Sequence, residues 1–201
     1  MKKLFLCAAV AVFGLTSVDA QEIKFGAKGG VNFASFGGDA EDVDGRTSFH
    51  VGALAEFVIS ENFSFQPELL YSSLGASQEE SFEGITFEST TKLDYLTIPL
   101  MAKYYVTDGF SLEGGPVVGF LISANSEFEG GGESAEEDVS DIYKGLDFGL
   151  GFGAAYRLES GLGFSARYNL GLSNILDIDD DEGDFSINNN VIQVSVLYFF
   201  N

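Results

Sequence analysis

Cysteine is almost missing from this 201-residue chain: the single Cys7 lies within the first twenty residues. With that stretch removed, nothing remains to form a disulfide, a thiolate metal site or a thiol nucleophile. Histidine is limited to His50, so neither a histidine metal centre nor a serine–histidine relay can be assembled. Proline is scarce at 3 residues, whereas 25 Gly, 20 Phe and 8 Tyr favour strands and turns over helices. No later stretch carries the roughly eighteen consecutive apolar residues a membrane-spanning helix needs. Positive charge is also short. Against 31 Asp and Glu stand 10 Lys and Arg, and the net charge of −21 would repel a phosphate backbone, so nucleic acid is not an expected partner.

What is present begins with Lys2 and Lys3, an apolar run from Leu4 to Leu15, and Val18-Asp19-Ala20 ahead of Gln21. A charged start, a short apolar core and small residues at a cleavage point are the pattern of a secretory signal peptide over residues 1–20. Residues 21–201 then form one domain. Losing Lys2, Lys3 and Asp19 takes the net charge from −21 to −22.

The rest of the chain alternates with period two, the mark of strands with two unlike faces. Around the turn Thr107-Asp108-Gly109, Leu96, Ile98, Leu100, Ala102 and Tyr104 share one parity, and Tyr95, Thr97, Pro99, Met101 and Lys103 the other. The partner strand sets Leu112, Val118, Phe120 and Ile122 against Ser111, Glu113, Val117 and Leu121. An apolar face about ten residues long suits a tilted strand crossing a bilayer. Similar alternation starts at Ile23, Phe49, Phe63, Leu146, Gly163 and Val191, giving eight strands joined alternately by long polar and short connections. The long connections cover 37–48, 75–92, 124–143 and 173–189. The expected fold is all-β: an eight-stranded antiparallel up-and-down transmembrane β-barrel, with short turns and both termini periplasmic and long loops outside. A soluble lipocalin-type barrel is the competing architecture. Its solvated exterior would need more charge than the Gly-rich polar parity carries. Tyr71, Tyr104, Tyr105, Tyr156, Tyr168 and Tyr198 lie near strand ends, where interfacial girdles form.

QPELLYSSLGA (66–76), YLTIPLMAKYY (95–105), GGPVVGFLISA (114–124), DFGLGFGAAYRL (147–158) and ARYNLGLSNI (166–175) resemble the successive strand motifs of the PorT-like outer-membrane β-barrel family. The resemblance implies the barrel fold and the outer membrane of a Gram-negative bacterium. It implies no particular activity.

Sorting charges by parity puts Lys24, Lys28, Lys103, Arg157 and Arg167 inside, with Glu56, Glu68, Glu113 and Asp147. Eight strands enclose room for side chains and not for an open pore, so these charges are expected to pair as a lumen ion-pair network. A gated path for small ions is the functional alternative. The acidic excess lies in the long loops, where clustered carboxylates suit a solvated surface or hard divalent cations. Asp177, Asp179 and Asp181 occupy the first, third and fifth positions of an EF-hand-like loop, but Glu182 stands where that loop requires glycine, and Asn188 where it requires glutamate. Loose Ca²⁺ association, bridging loops or lipopolysaccharide phosphates, is the expectation for these three, and no cofactor is expected. No nucleophile–base pair marks an enzyme. The sequence therefore points to a non-enzymatic membrane anchor or interaction module, a class that includes subunits of an envelope or secretion assembly. The expected surroundings are outer-membrane lipid, lipopolysaccharide and other envelope proteins. A minor porin for small cations, or a barrel binding a hydrophobic ligand, are the alternatives.

Overall fold

The computed structural model describes residues 22–40, 44–82, 85–130, 133–177 and 185–200. The strands are β1 (Ile23–Gly38), β2 (Asp44–Ser60), β3 (Phe63–Phe82), β4 (Ile85–Tyr105), β5 (Phe110–Gly130), β6 (Glu133–Asp138), β7 (Leu146–Arg157), β8 (Leu162–Gly171) and β9 (Ile187–Phe200), with one 3₁₀ turn, Ser140–Ile142, between β6 and β7. All pairings are antiparallel, and eight of the strands close a ring in the order β1-β2-β3-β4-β5-β7-β8-β9 and back to β1. Closure leaves no lateral edge within the membrane, where an unpaired N–H or C=O would find no water. Among the described residues no helix is long and apolar enough to cross a membrane.

The two parities separate as the alternation predicts. On β5, Leu112, Phe120 and Ile122 point outward and are 42–58% exposed, while Ser111 and Glu113 are buried inside. The same contrast sets Phe25, Val31 and Phe33 outside against Lys28 and Asn32 inside. In water such an outer surface would be an aggregation hazard; acyl chains are its proper solvent.

The polar connections differ from expectation. Residues 75–92 do not form a loop: β3 and β4 stay paired from Gly75↔Lys92 to Phe82↔Ile85. Residues 124–130 likewise extend β5, and β6 pairs with them from Asn125↔Asp138 to Gly130↔Glu133, a ninth strand that the alternation did not suggest. Leaving the bilayer removes the need for an apolar face but not the backbone's need for partners, so hairpins continue with Ser, Thr and Glu on both faces. β5 therefore has two partners on one edge, β7 along Phe110–Phe120 and β6 beyond Asn125.

Candidate functional site

The barrel interior is stacked in layers. At the periplasmic end, Glu56 accepts from Ser64 Oγ (2.7 Å), from the Tyr105 hydroxyl and from Arg157 Nη1 (2.6 Å). The Arg157 guanidinium lies over the rings of Tyr105 and Phe199, 5.4 and 5.1 Å from their centroids. Tyr105 thus belongs to the lumen and not to a girdle, whereas Tyr104, Tyr156 and Tyr198 are about half exposed on the outer wall. Lys103 donates to Gln66 Oε1 (3.0 Å) and sits above Tyr105, without an ion-pair partner within 4.0 Å among the described residues. Lys24 lies at the periplasmic rim, 3.5 Å from Glu22 and partly exposed.

The middle layer is fully buried. Arg167 holds Glu68 with two parallel hydrogen bonds (Nη1 to Oε2 3.0 Å, Nη2 to Oε1 2.7 Å) and Glu113 with a third from Nε (2.8 Å). Lys28 Nζ donates to both Glu68 oxygens at 3.3 and 3.2 Å, and Gln66 Nε2 adds a bond of 2.7 Å. Two cations and two anions so arranged satisfy one another, which is the condition for burying them. Glycines make the room: Lys28 faces Gly52 across the strands, and Gly153 lies between Glu113 and Arg167.

Above the charges runs a neutral chain. His50 bonds Asn32 Oδ1 through Nδ1 (2.7 Å) and Ser195 Oγ through Nε2 (2.9 Å), and Gln193 Nε2 donates to Asn32 Oδ1 (3.0 Å). His50, the single histidine, is 1% exposed and lies inside the lumen against Gly30. Asp147 also departs from the ion-pair expectation. Its partners are neutral, Ser173 Oγ (2.7 Å) and Asn189 Nδ2 (2.8 Å).

The outermost layer is apolar. Ala34, Leu74, Leu93, Tyr95, Ala124, Val191 and Ile175 form one buried cluster, with Val139, Tyr143 and Ile187 packed on it. Ile175 is delivered by residues 172–177 after β8, which fold over the mouth: its N–H donates to Ile187 O (2.8 Å), its carbonyl accepts Lys144 N–H (2.7 Å), and Asp177 N–H reaches Ile142 O (2.8 Å). The 3₁₀ turn is fixed beside it by Asp138, whose carboxylate accepts Ser140 N–H (2.9 Å). Hydrogen bonds from the Ser140 hydroxyl and N–H hold the Asp138 carboxyl below the usual carboxylate range. Of the three aspartates proposed for Ca²⁺, Asp177 is exposed, and Asp179 and Asp181 lie outside the described residues. The described residues contain no cluster of three His, Cys, Asp or Glu side chains suited to a metal.

Residues 19–177 match the family described as "Outer membrane protein beta-barrel domain". The chain belongs to that family. It is accordingly an outer-membrane barrel protein of a Gram-negative envelope. Solved barrels share the fold: Ail, the attachment invasion locus protein of Yersinia pestis (12% identity, 89% of this chain and 99% of that one, TM-score 0.53), the same protein in complex with the heparin analogue sucrose octasulfate (13% identity, 89% and 99% coverage, TM-score 0.55), and Neisserial surface protein A (10% identity, 90% and 100% coverage, TM-score 0.56). No curated protein sequence matches the chain.

Two parts of this family barrel's interior escaped the charge sorting. The Asn32–His50–Gln193–Ser195 chain contains no Asp, Glu, Lys or Arg, so sorting charges by parity had no reason to single it out. The cap residue Ile175 sits among polar loop residues with no strand period to mark it. Its signal was a lone Ile-Leu pair inside an acidic connection.

Proposed function

We propose that this chain is a non-enzymatic outer-membrane anchor that presents acidic extracellular hairpins to a partner in the cell envelope, with its affinity inside the family lying with PorT-like barrels. The observation carrying this reading is the doubly closed lumen: the Arg167–Glu68–Glu113–Lys28 layer across its middle and the Ile175 cap over its outer mouth. A transporter needs a continuous path, and an anchor does not. The carrier alternative lacks room between plug and cap, where the cavity holds about 40 Å³, roughly a tenth of a small-molecule site.

The hairpins supply the recognition surface. β4, β5 and β6 extend beyond the ring with Glu88, Glu127, Glu129, Glu136, Glu137 and Asp138, against Lys92, which pairs with Glu127. Ail binds a sulfated heparin analogue; a surface of the opposite sign favours a basic partner patch instead. Affinity purification from detergent-solubilised membranes tests this. A stable envelope partner is expected with the native chain and none after Glu127, Glu129, Glu136 and Glu137 are changed to Lys; equal recovery from both would overturn the reading.

The charged residues running from Arg157 to Arg167 favour a second reading, a minor path for small cations, if the Arg167 pairs can exchange. Steady cation-selective steps from the native chain in planar bilayers would support it over the anchor.

A further inference from the structure

Within the ring every strand is hydrogen-bonded on both sides, but β6 is paired on one side alone, by β5. Residues 134–138 are all exposed. Val139 N–H donates to Ala124 O (2.9 Å), which fixes the phase of the ladder. Antiparallel bonding alternates along a strand, so Glu137 and Ala135 turn their backbone groups toward β5, and Ser134, Glu136 and Asp138 turn theirs outward. No described residue bonds those outward N–H and C=O groups. Water solvates them in the chain alone, so being unpaired demands nothing by itself. The edge is distinguished by its pattern.

Exposed edges are commonly blunted by lysine, proline or a bulge. β6, ESAEED, contains neither residue, and its register with β5 is unbroken from Asn125↔Asp138 to Gly130↔Glu133. It carries acid instead. On one face Glu127 lies directly opposite Glu136, and Glu88 opposite Glu129, with Lys92 pairing to Glu127. On the other face Phe128 lies opposite Ala135 and stacks on Phe87, ring centroids 6.0 Å apart, while remaining 46% exposed. Glu137 shares that face, opposite Ser126. A second copy of β6 added to this edge would set like charges opposite each other, which destabilises a sheet. An extended segment with Lys or Arg at every second position relieves the repulsion instead, and apolar residues between them continue the Phe87–Phe128 face.

We propose that the outward edge of β6 is a docking site at which an extended, basic segment of the partner adds as one more strand, with Lys or Arg on the Glu127–Glu136 face and apolar residues on the Phe128 face. The proposal rests on the acidic-hairpin reading above and adds the backbone to it as a second element of recognition. Side-chain charge draws the segment in, and main-chain bonds to Ser134, Glu136 and Asp138 hold it in register.

The probe is a fluorescein-labelled peptide of alternating Lys and Thr with a central Phe, set against the same peptide N-methylated at every residue, which keeps the charge and has no backbone N–H to donate. Binding is read by anisotropy on the full chain in zwitterionic detergent micelles. The plain peptide is expected to bind about tenfold more tightly, the net worth of one or two hydrogen bonds. Glu136→Pro removes an outward N–H that β5 does not use, a change that edge strands accept, and is expected to bring the two affinities together. Glu136→Ala removes the same charge but keeps the N–H, and is expected to weaken both peptides while preserving their ratio. On the native chain, a plain peptide labelled with ¹³C=O is expected to move its amide I band to the strand position on binding, a readout that needs no variant. Equal affinity of the native chain for the two peptides would overturn strand addition while leaving recognition by the acidic hairpins intact. So would a ratio that survives Glu136→Pro, or a bound peptide without the strand band. Binding of neither peptide would overturn both.

Discussion

Gly153 stands between Glu113 and Arg167 in the strand register, and a Cβ there would come within 2.3 Å of Ala166 O. The missing side chain lets Arg167 cross a strand to reach Glu113. Gly153→Leu is therefore expected to destabilise by about 1–3 kcal/mol through overpacking, and more if the arginine is displaced. Arg167→Met leaves Glu68 and Glu113 buried with one cation between them, a loss of about 3–5 kcal/mol. Arg157→Met should cost clearly less, because its side chain is 20% exposed and water can replace it at Glu56. Urea unfolding of the three variants in lipid vesicles gives the order; equal losses at Arg157 and Arg167 would contradict the layered account. Charge and parity in the sequence named nine candidates but not their partners: Asp147 bonds only neutral groups, Lys103 bonds Gln66, and Lys24 lies against Glu22. Lys103 faces Glu113, and Lys24 faces Glu56, in the register, yet neither pair bonds. Long side chains reach along the lumen, and the tightest geometry wins over the nearest Cα.

At the scale of elements, the hairpins and the cap have separate tasks. Gly75 sits at φ +123°, and a Cβ there would meet Thr91 O at 1.9 Å, so the turn of β3 out of the ring needs glycine. Gln78, Glu79 and Glu88 on the β3–β4 extension are exposed, and deleting residues 79–88 is expected to leave barrel assembly intact, read as heat-modifiable migration on electrophoresis. The cap differs because Ile175 is fully buried. Ile175→Asp places a charge in that cluster and should expel the β8–β9 connection from the mouth. Planar-bilayer recordings are then expected to show small openings absent from the native chain, and unchanged silence would mean that the central charge layer closes the lumen unaided. Strand period revealed the eight ring strands but neither β6 nor the cap, because outside the bilayer the backbone needs partners while the side chains need no pattern.

For the whole molecule, the apolar exterior and the acidic crown set opposite demands. Phe, Leu and Val on the outer wall require lipid or detergent, and the net charge of −21 repels polyanions and other copies of the crown. Recovery of the partner is expected to fall as salt rises from about 0.05 to 0.5 M, because the screening length contracts severalfold. Recovery independent of salt would assign recognition to the barrel wall instead. In vesicles, circular dichroism should be strand-dominated and unaffected by charge reversal of the hairpins.

Period-two alternation, with alternately short and long connections, determined by itself the barrel, its strand count in the ring and which face meets lipid. A strand in a bilayer has only two faces and must send unlike residues to unlike solvents. Which ions pair, that His50 lies in the lumen and that Ile175 seals the mouth were decided only by closure. These contacts join residues up to 161 positions apart, as from Asn32 to Gln193. No local pattern records a distance that exists only once β9 has met β1.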